Sequence, residues 1–298
     1  MLNLSGSQAC LDVHLQRPKG QSSIVTGPFE DRGFHVITTD EALGYSQSAL
    51  GEACLIQSFL VPREPLHTPT CDVSHMIRSY SDVGGDFLDY FCLSDQKIGI
   101  YLGDVVGKGL PAAMYAALSM GVLRSVNKTG EESAAVLKLF NTRLQVRPIP
   151  SRYCAIQYAV FDPMNLVLSL ANAGLPLPLH LSTGGCRPVG TGGLPAGLFE
   201  FVIYDQVTIQ LDPGDIILFA TDGLSEATDQ HGDFFGMDRL VDLCAKIGSG
   251  ASADLFLRSV FEGIEQFTGA IQHDDMTAVA LKVGSHRQLE SNDARQKT

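Results

Sequence analysis

Short β-rich segments separated by turn signals dominate the middle of the sequence and constrain its fold more than any other feature. The segments are rich in Ile, Val, Tyr and Phe, which favour strands. Turns such as Asp162-Pro163-Met164-Asn165 leave too few residues for a parallel crossover, so neighbouring strands are expected to run antiparallel. The predicted strands span 86–92, 97–103, 153–161, 166–172, 201–211, 215–221 and 276–283.

Helical stretches are grouped between the strands rather than alternating singly with them. This grouping favours an α+β fold around one core over a series of βαβ units. Thr129 and Glu132 form a candidate capping box at the start of one helix, and Pro111 suits the first turn of another. The predicted helices span 40–60, 111–126, 130–146, 237–247 and 251–267.

We expect one large domain with less structured ends. Residues 1–39 show no sustained periodicity and are predicted to form a poorly defined lead-in, followed by a linker helix at 40–62. The folded domain is predicted over 63–283, and the polar residues 284–298 are predicted to be a solvated tail. The apolar stripe of the helix at 40–60 has two interpretations: it pairs with its copy in a homodimer, or it packs on its own domain.

The charge and cysteine content exclude several classes of protein. The 33 acidic against 21 basic residues give a net charge of −12, whereas a protein that binds nucleic-acid phosphates needs the opposite balance. The seven cysteines are scattered without a CxxC pair, which argues against a disulfide framework or a zinc ribbon and favours the reducing cytoplasm. No run approaches the roughly 18 apolar residues of a membrane span, so we expect no membrane insertion.

Aspartates at the ends of the predicted strands carry the main functional signal. Asp86 opens one strand, Asp104 and Asp222 each follow one, and Asp274 and Asp275 precede the last. Neighbouring glycines let the backbone turn sharply and approach a ligand closely. We therefore expect four carboxylates to converge on one edge of a sheet, and the alternative for any one of them is a turn or cap residue.

Converging carboxylates need a counter-charge. Two charges about 4 Å apart repel by roughly 4 kcal/mol at an effective dielectric constant near 20. Lys108 is the one basic residue at a neighbouring position, so divalent cations are the better candidate, and all-oxygen ligands select hard ions such as Mg²⁺ or Mn²⁺. Two such ions that share a water lower its pKa and clamp a phosphoryl group for in-line attack.

Other catalytic signatures are missing from the sequence. The segment GDVVGKG (103–109) has too few residues between its glycines for a Walker loop, and Gly109 stands where that loop needs Ser or Thr. The sequence contains no HExxH pair, no Cys with an Arg at the spacing that cysteine-dependent phosphatases need, and no GxSxG elbow.

Six short motifs stand in order through the predicted domain. They are VGGDFLD (83–89), GDVVGKGLPAA (103–113), NAG (172–174), GLPAGL (193–198), TDGLSEA (221–227) and DDMT (274–277). Together they resemble the metal-dependent PPM-type protein phosphatases, specifically the bacterial SpoIIE-like branch, over residues 80–283 or so. The resemblance implies a four-layer α/β/β/α sandwich of two antiparallel sheets flanked by helices.

The same resemblance implies a role for each matching aspartate. Asp86 and Asp104 would hold two Mn²⁺ or Mg²⁺ ions, with the Val105 carbonyl as a backbone ligand. Asp222 and Asp274 would complete the catalytic cluster. The domain at 63–283 would then be a PPM-type phosphatase domain.

The resemblance also implies roles for two further residues and a reaction for the domain. Asp275 is the next residue of its motif and is the alternative ligand to Asp274; Arg78 lies where the branch often has an Arg and would touch the substrate phosphate, unless it is a plain surface residue. The implied reaction is hydrolysis of phosphoserine or phosphothreonine on a protein by a water that two metal ions activate, with no phosphoenzyme. Substrates in this branch include anti-sigma-factor antagonist proteins.

Val106 departs from the family pattern. Many relatives have Ser there and eukaryotic members have His, which can assist the leaving group, whereas Val neither donates nor accepts a proton. Two hypotheses therefore stand. The chain is an active phosphatase in which a water or another group does that work, or it is a catalytically weak, phosphatase-like domain that binds a partner as a regulatory module.

Overall fold

The chain separates into two units in the computed structural model, which divide between Ala49 and Leu50. The described residues are 24–25, 36–37, 39–93, 96–126, 132–269 and 271–284. The first unit contains β1 (Ile24–Val25) and β2 (Val36–Ile37), which pair antiparallel, and helix α1 (Thr39–Leu60) begins in it. Most of the predicted lead-in, and the predicted tail beyond Gly284, lie outside the described residues.

Two antiparallel sheets form the centre of the second unit. In chain order its described strands are β3 (Leu66–His67), β4 (Cys71–Arg78), β5 (Phe87–Cys92), β6 (Ile98–Val105), β7 (Cys154–Asp162), β8 (Val167–Ala173), β9 (Leu179–Ser182), β10 (Gly185–Pro188), β11 (Gln206–Gln210), β12 (Ile216–Ala220) and β13 (Met276–Val283). One sheet has the order β10-β9-β12-β13-β4-β3, and the other has the order β11-β8-β7-β6-β5. Every pairing within them is antiparallel, as the short turns predict.

Helices cover the outer face of each sheet. The described helices after α1 are α2 (Gly109–Val126), α3 (Ser133–Leu144), α4 (Asp222–Ser225), α5 (Gly236–Ile247) and α6 (Ala253–Thr268). Helices α2 and α3 pack on the five-stranded sheet, while α5 and α6 pack on the six-stranded sheet. The expected four-layer α/β/β/α sandwich is thereby confirmed.

Three layers of buried side chains hold the four layers together. Tyr158 and Phe140 lie between the five-stranded sheet and its helices. Phe161 and Phe219 lie between the two sheets. Phe256 lies between the six-stranded sheet and its helices. The predicted packing surface of α2 is also buried, since its small residues allow the helix to approach the sheet closely. Apolar burial on both faces of both sheets explains why the strand segments read as apolar runs.

Two local predictions were wrong. The capping box fails because Glu132 is itself the N-cap residue of α3 and makes no side-chain cap hydrogen bond, while Thr129 lies outside the described residues. The strand predicted over 201–211 is shorter, because pairing with β8 begins only at Gln206. Before that point Phe201 and Ile203 are exposed and have no strand partner in the described structure.

Besides the short β1 and β2, four strands of the second unit were missed by the sequence interpretation. Strands β3, β9 and β10 are two to four residues long, and they contain His, Gly or Pro, which weaken a strand signal. Strand β4 mixes polar and apolar residues, yet all eight residues of the strand pair with β13. Its neighbour in the sheet, rather than its own composition, makes it a strand.

Among the described helices, none combines the length and the apolar character that a membrane crossing requires.

Candidate active site

The five predicted aspartates lie at strand ends of both sheets. Asp86 directly precedes β5, and Asp104 is the next-to-last residue of β6. Phe87 pairs with Gly103, so Asp86 and Asp104, each one position further along, lie side by side at the end of the five-stranded sheet. The other sheet contributes the remaining three: Asp222 begins α4 after β12, and Asp274 and Asp275 precede β13.

Asp86 is the most buried of the five, with 7% of its surface exposed. The hydroxyl of Thr221 donates a hydrogen bond to Asp86 Oδ2 at 3.0 Å and accepts one from the Thr277 backbone N–H at 3.1 Å. Burial raises the pKa of the Asp86 carboxyl well above its ordinary value, and the negative charge of Asp104 raises it further. A buried carboxylate with an acidic neighbour is poised either to hold a proton or to bind a cation.

The carboxylates of Asp104 and Asp222 are also repelled by neighbouring negative charges. Burial raises the pKa of Asp104 to about 7, helped by the charges of Asp222 and Asp274 and opposed by a hydrogen bond with Asp86. Burial also raises the pKa of Asp222, with the charge of Asp274 as the next cause. The charges of Asp222 and Asp274 therefore destabilise the charged form of Asp104. The aspartates come from the ends of two sheets, so the prediction that they meet on one edge of a single sheet was wrong.

Lys108 supplies the nearest described positive charge. Its Nζ lies 2.8 Å from Asp274 Oδ2 and donates to the His273 carbonyl at 2.6 Å. Both side chains of the ion pair are about half exposed, so the pair is screened by solvent and contributes little to stability. One exposed lysine does not offset the charge of the buried aspartates.

The donor set suits hard divalent cations. The side chains offer only carboxylate oxygens, and a cation would relieve the repulsion that raises the pKa values of the cluster. A Cβ atom on Gly85 would lie 2.9 Å from the Val105 carbonyl oxygen and 3.2 Å from Asp104 Oδ1, so the missing side chain leaves room beside both predicted ligands. As they stand, however, no three carboxylates of the described residues are arranged as a ready cation site.

Asp275 and Asp274 differ in what their carboxylates do. The Asp275 carboxylate accepts two backbone hydrogen bonds, from Tyr80 N–H to Oδ1 and from Gly85 N–H to Oδ2, both at 2.8 Å. Gly84 passes so close to this carboxylate that a Cβ atom there would clash with Oδ2. The Asp274 carboxylate is more exposed, and its described contacts are with Lys108 Nζ and with the N–H of Asp275. Asp275 therefore fixes the loop that contains Gly84 and Gly85, which we call the glycine loop. Asp274 faces the open side of the cluster.

Helix α1 also holds the glycine loop, which the sequence interpretation missed. Gln57 forms a reciprocal pair of hydrogen bonds with Gly84: its Nε2 donates to the carbonyl at 2.8 Å, and its Oε1 accepts from the N–H at 3.1 Å. At the end of α1, the Leu60 carbonyl accepts from Arg124 of α2, whose guanidinium also pairs with Asp89 at 2.8 Å. A lone Gln and a mid-strand Asp give no sequence signal for such contacts.

Arg78 is not brought together with the aspartates. Its Nη1 forms an ion pair with Glu265 of α6 at 3.0 Å, and its guanidinium lies 5.4 Å from the centre of the Phe261 ring. None of the described contacts joins its side chain to the acidic cluster. Its predicted role in phosphate binding stays a prediction.

The sandwich of two antiparallel sheets, with carboxylates from both sheets at one end, can be compared with known families. Residues 94–284 match the family model of Stage II sporulation protein E (SpoIIE). The chain therefore belongs to the SpoIIE family.

Named relatives agree with this assignment. Protein IcfG of Synechocystis is 27% identical over 227 residues, which are 67% of this chain and 36% of IcfG, so the chain spans about a third of that relative. The phosphoserine phosphatase RsbU of Bacillus subtilis is 23% identical over 79% of this chain and 70% of its own length. The SiaA-PP2C domain of Pseudomonas aeruginosa shares the fold, with a TM-score of 0.71 and 20% identity over 81% of this chain and 98% of that domain.

Proposed function

We propose that the chain hydrolyses phosphoserine or phosphothreonine on a protein substrate in bacterial signalling, for example on an anti-sigma-factor antagonist. The observation that carries the proposal is that Asp86 and Asp104 lie side by side at the end of one sheet, while Asp222 and Asp274 stand at strand ends of the other sheet. The charges of Asp222 and Asp274 help to raise the pKa of the Asp104 carboxyl. The name of the relative RsbU, a phosphoserine phosphatase, supports the substrate class.

Two divalent cations, Mn²⁺ or Mg²⁺, belong to this proposal, since PP2C-type phosphatases are metal-dependent. Asp86 and Asp104, with the Val105 carbonyl, would hold them together with Asp222 and Asp274. When bound, the cations would lower the pKa of an attacking water and would place positive charge beside the phosphoryl group. Burial of the carboxylates strengthens their attraction for a cation, because the effective dielectric constant around them is low.

The surrounding residues position this set. Thr221 orients the Asp86 carboxylate through its hydroxyl, and Asp275 holds the glycine loop through two backbone N–H groups, so we assign it a positioning role with Asp274 as the ligand. Lys108, on the open side beside Asp274, offers a positive charge to a phosphate oxygen. Arg78 would offer a second one by exchanging Glu265 for the phosphate.

Hydrolysis of p-nitrophenyl phosphate with added Mn²⁺ tests the proposal. We expect Asp104→Asn and Asp222→Asn each to remove turnover while circular dichroism and thermal melting stay as in the wild type. Asp242→Asn, at an exposed position of α5, serves as the matched control and should turn over normally. Unchanged turnover in both site variants would sink the assignment.

A second candidate function is a partner-binding regulatory module, and Val106 favours it. Its backbone is fixed, since its N–H donates to the Tyr153 carbonyl at 3.1 Å and its carbonyl accepts from Arg152 Nη1 at 2.7 Å. Its side chain offers no proton to a leaving group. Calorimetry with Mn²⁺ beside a turnover assay separates the candidates, because metal binding without hydrolysis would favour the module.

The proposal includes a homodimer through the helix at 40–60 and a cytoplasmic location. Leu55, Ile56 and Phe59 of α1 are each about 60% exposed, which leaves an apolar stripe for a second copy. Light scattering of wild type and Leu55→Glu would show a loss of dimer if the stripe pairs. The cysteines within the described residues are free thiols, which supports a reducing compartment.

A further inference from the structure

A small, partly apolar pocket adjoins the acidic cluster. Its volume is about 200 Å³, and it lies in the six-stranded half of the site. Ala227, Phe234, Ile271 and Met276 supply its apolar wall. Lys108, Gly223 and Asp274 line it as well, so the pocket and the proposed phosphate site share a wall. Nothing in the chemistry of the carboxylates requires this pocket.

Two large apolar side chains at this pocket are exposed. Phe234 is 59% exposed and Ile271 is 44% exposed, although both are side chains that proteins usually bury. The uncovered apolar surface beside a charged site is typical of a binding surface rather than of a solvent-facing loop.

The backbone holds Phe234 in this exposed position. Phe234 forms an isolated bridge with Thr228, and its carbonyl accepts a hydrogen bond from Arg239 Nη1 at 2.7 Å. The next residue, Phe235, is buried, and its ring lies 5.2 Å from that of Phe267 in an edge-on arrangement. Since its neighbour is anchored in the core, the backbone that carries the Phe234 ring is ordered before binding, which lowers the entropic cost of a contact.

The size of the pocket suits one side chain. An apolar cavity of about 150 Å³ can hold a benzene molecule, whereas pockets for drug-sized ligands and cofactors have roughly 300–1,000 Å³. At about 200 Å³ the pocket accommodates a Leu, Met or Phe side chain and is too small for a cofactor. Glu226 and Asp274 line the same space and disfavour an acidic occupant.

We propose that this pocket binds an apolar side chain next to the phosphorylated residue of the protein substrate, and that Phe234 and Ile271 set this preference. The inference rests on the proposed phosphatase function and adds the kind of sequence that the enzyme selects. Because Lys108 and Asp274 form the shared wall, the phosphate lies on one side of them and the flanking side chain on the other.

Matched phosphoserine peptides test this inference on the full chain. Two peptides differ only in the residue beside the phosphoserine, Leu in one and Asp in the other, on each flank in turn. We expect kcat/KM to favour the Leu peptide on one flank by at least about 10-fold, because even a single methylene in a hydrophobic pocket changes kcat/KM by roughly 10- to 200-fold. Phe234→Ala and Ile271→Ser should each bring this ratio towards one, while the exposed control Phe201→Ala keeps the wild-type ratio.

Two further readouts separate failure of the pocket from failure of the proposed function. Hydrolysis of p-nitrophenyl phosphate, which has no flanking residue, reports on the chemical site alone. If the wild type hydrolyses nothing, the proposed function fails, and the ratio of the two peptides' Kd values by fluorescence anisotropy still tests the pocket. Equal use and equal binding of both peptides by the wild type, or a preference that survives in both pocket variants, would overturn the inference.

Discussion

The hydroxyl of Thr221 donates a 3.0 Å hydrogen bond to Asp86 and thereby joins the ends of the two sheets at the acidic cluster. Thr221 follows β12 and is the N-cap residue of α4, yet its side chain makes no cap hydrogen bond to that helix. The hydroxyl is committed to Asp86 and to the Thr277 N–H instead. The Thr221 side chain therefore bonds to the buried Asp86 carboxylate instead of capping the short helix α4.

Replacing Thr221 with Val should weaken the site more than the fold. A hydrogen bond to a charged group contributes about 1.5–3 kcal/mol, so we expect Thr221→Val to raise the Mn²⁺ concentration for half-maximal turnover by about ten- to a hundredfold. Thr221→Ser keeps the hydroxyl and should stay near the wild type. A Mn²⁺ titration of turnover measures the shift, and equal values for the Val and Ser variants would contradict the role of this bond.

Adding a methyl group at Gly84 should displace Asp275. The new Cβ atom would clash with the carboxylate that binds the Tyr80 and Gly85 N–H groups. We expect Gly84→Ala to lower kcat/KM by tenfold or more and the free energy of unfolding by about 2 kcal/mol, since hydrogen bonds to a charged group are lost. Gly250→Ala, which has open space around its Cβ position, is the control for glycine substitution as such. Wild-type kinetics in Gly84→Ala would show that the contact does not matter.

The metal-free protein should lose stability as the pH rises. Burial, with the charges of Asp222 and Asp274, raises the pKa of Asp104 to about 7, whereas an unfolded aspartate titrates near about 3.9. The folded state therefore binds this proton more tightly, and the stability that it contributes is present below about pH 4 and is lost as the pH rises through about 7. In the presence of EDTA we expect the melting temperature to decline between about pH 5 and pH 8. Asp104→Asn should flatten the decline, and an equally steep decline in that variant would refute the assignment.

A buried hydrogen bond between His180 and Asp215 of the six-stranded sheet should affect stability. His180 Nε2 lies 2.7 Å from Asp215 Oδ2, and both side chains are almost fully buried. We expect His180→Ala to lower the free energy of unfolding by about 1–3 kcal/mol, because the buried Asp215 carboxylate loses the imidazole and keeps only the Asp212 N–H among its described side-chain hydrogen-bond partners.

An exposed pair of the same kind provides the control for His180. His67 Nδ1 lies 3.0 Å from Asp72 Oδ1, but the His67 side chain is 68% exposed, and breaking such a pair costs only about 0–1 kcal/mol. Urea unfolding of His180→Ala and His67→Ala compares the two sites directly. Equal losses in the free energy of unfolding would show that burial does not increase the contribution of the His180 pair to stability.

The sequence predicts the antiparallel strands and the positions of the aspartates for a local reason, whereas the four-layer sandwich is expected only from the family resemblance. Short turns fix antiparallel neighbours, and an aspartate that opens or closes a strand must lie at a sheet end, whatever the rest of the chain does. Asp86 and Asp104 are such a case, since pairing of the adjacent Phe87 with Gly103 places them together. Strand β4 is the opposite case, because only its partner β13 reveals it.

The choice between Asp274 and Asp275 lies beyond sequence reasoning. The two are adjacent, equally acidic and part of one motif. What separates them is the pair of N–H groups from Tyr80 and Gly85, which come from a loop almost two hundred positions away and occupy the Asp275 carboxylate. The exposure of Phe234 is equally hidden, because an aromatic residue at the start of a helical segment predicts burial.

The order of the strands has a consequence for how the molecule can be divided. Each sheet draws strands from both the early and the late part of the chain, and the two pairs of aspartates belong to different sheets. A cut after β8 would leave Asp86 and Asp104 on one fragment and Asp222 and Asp274 on the other, with neither sheet whole. The proposed catalysis would then be all-or-none, because it requires both sheets to have closed on each other. Recovery of turnover during refolding would report the last assembly step rather than the first.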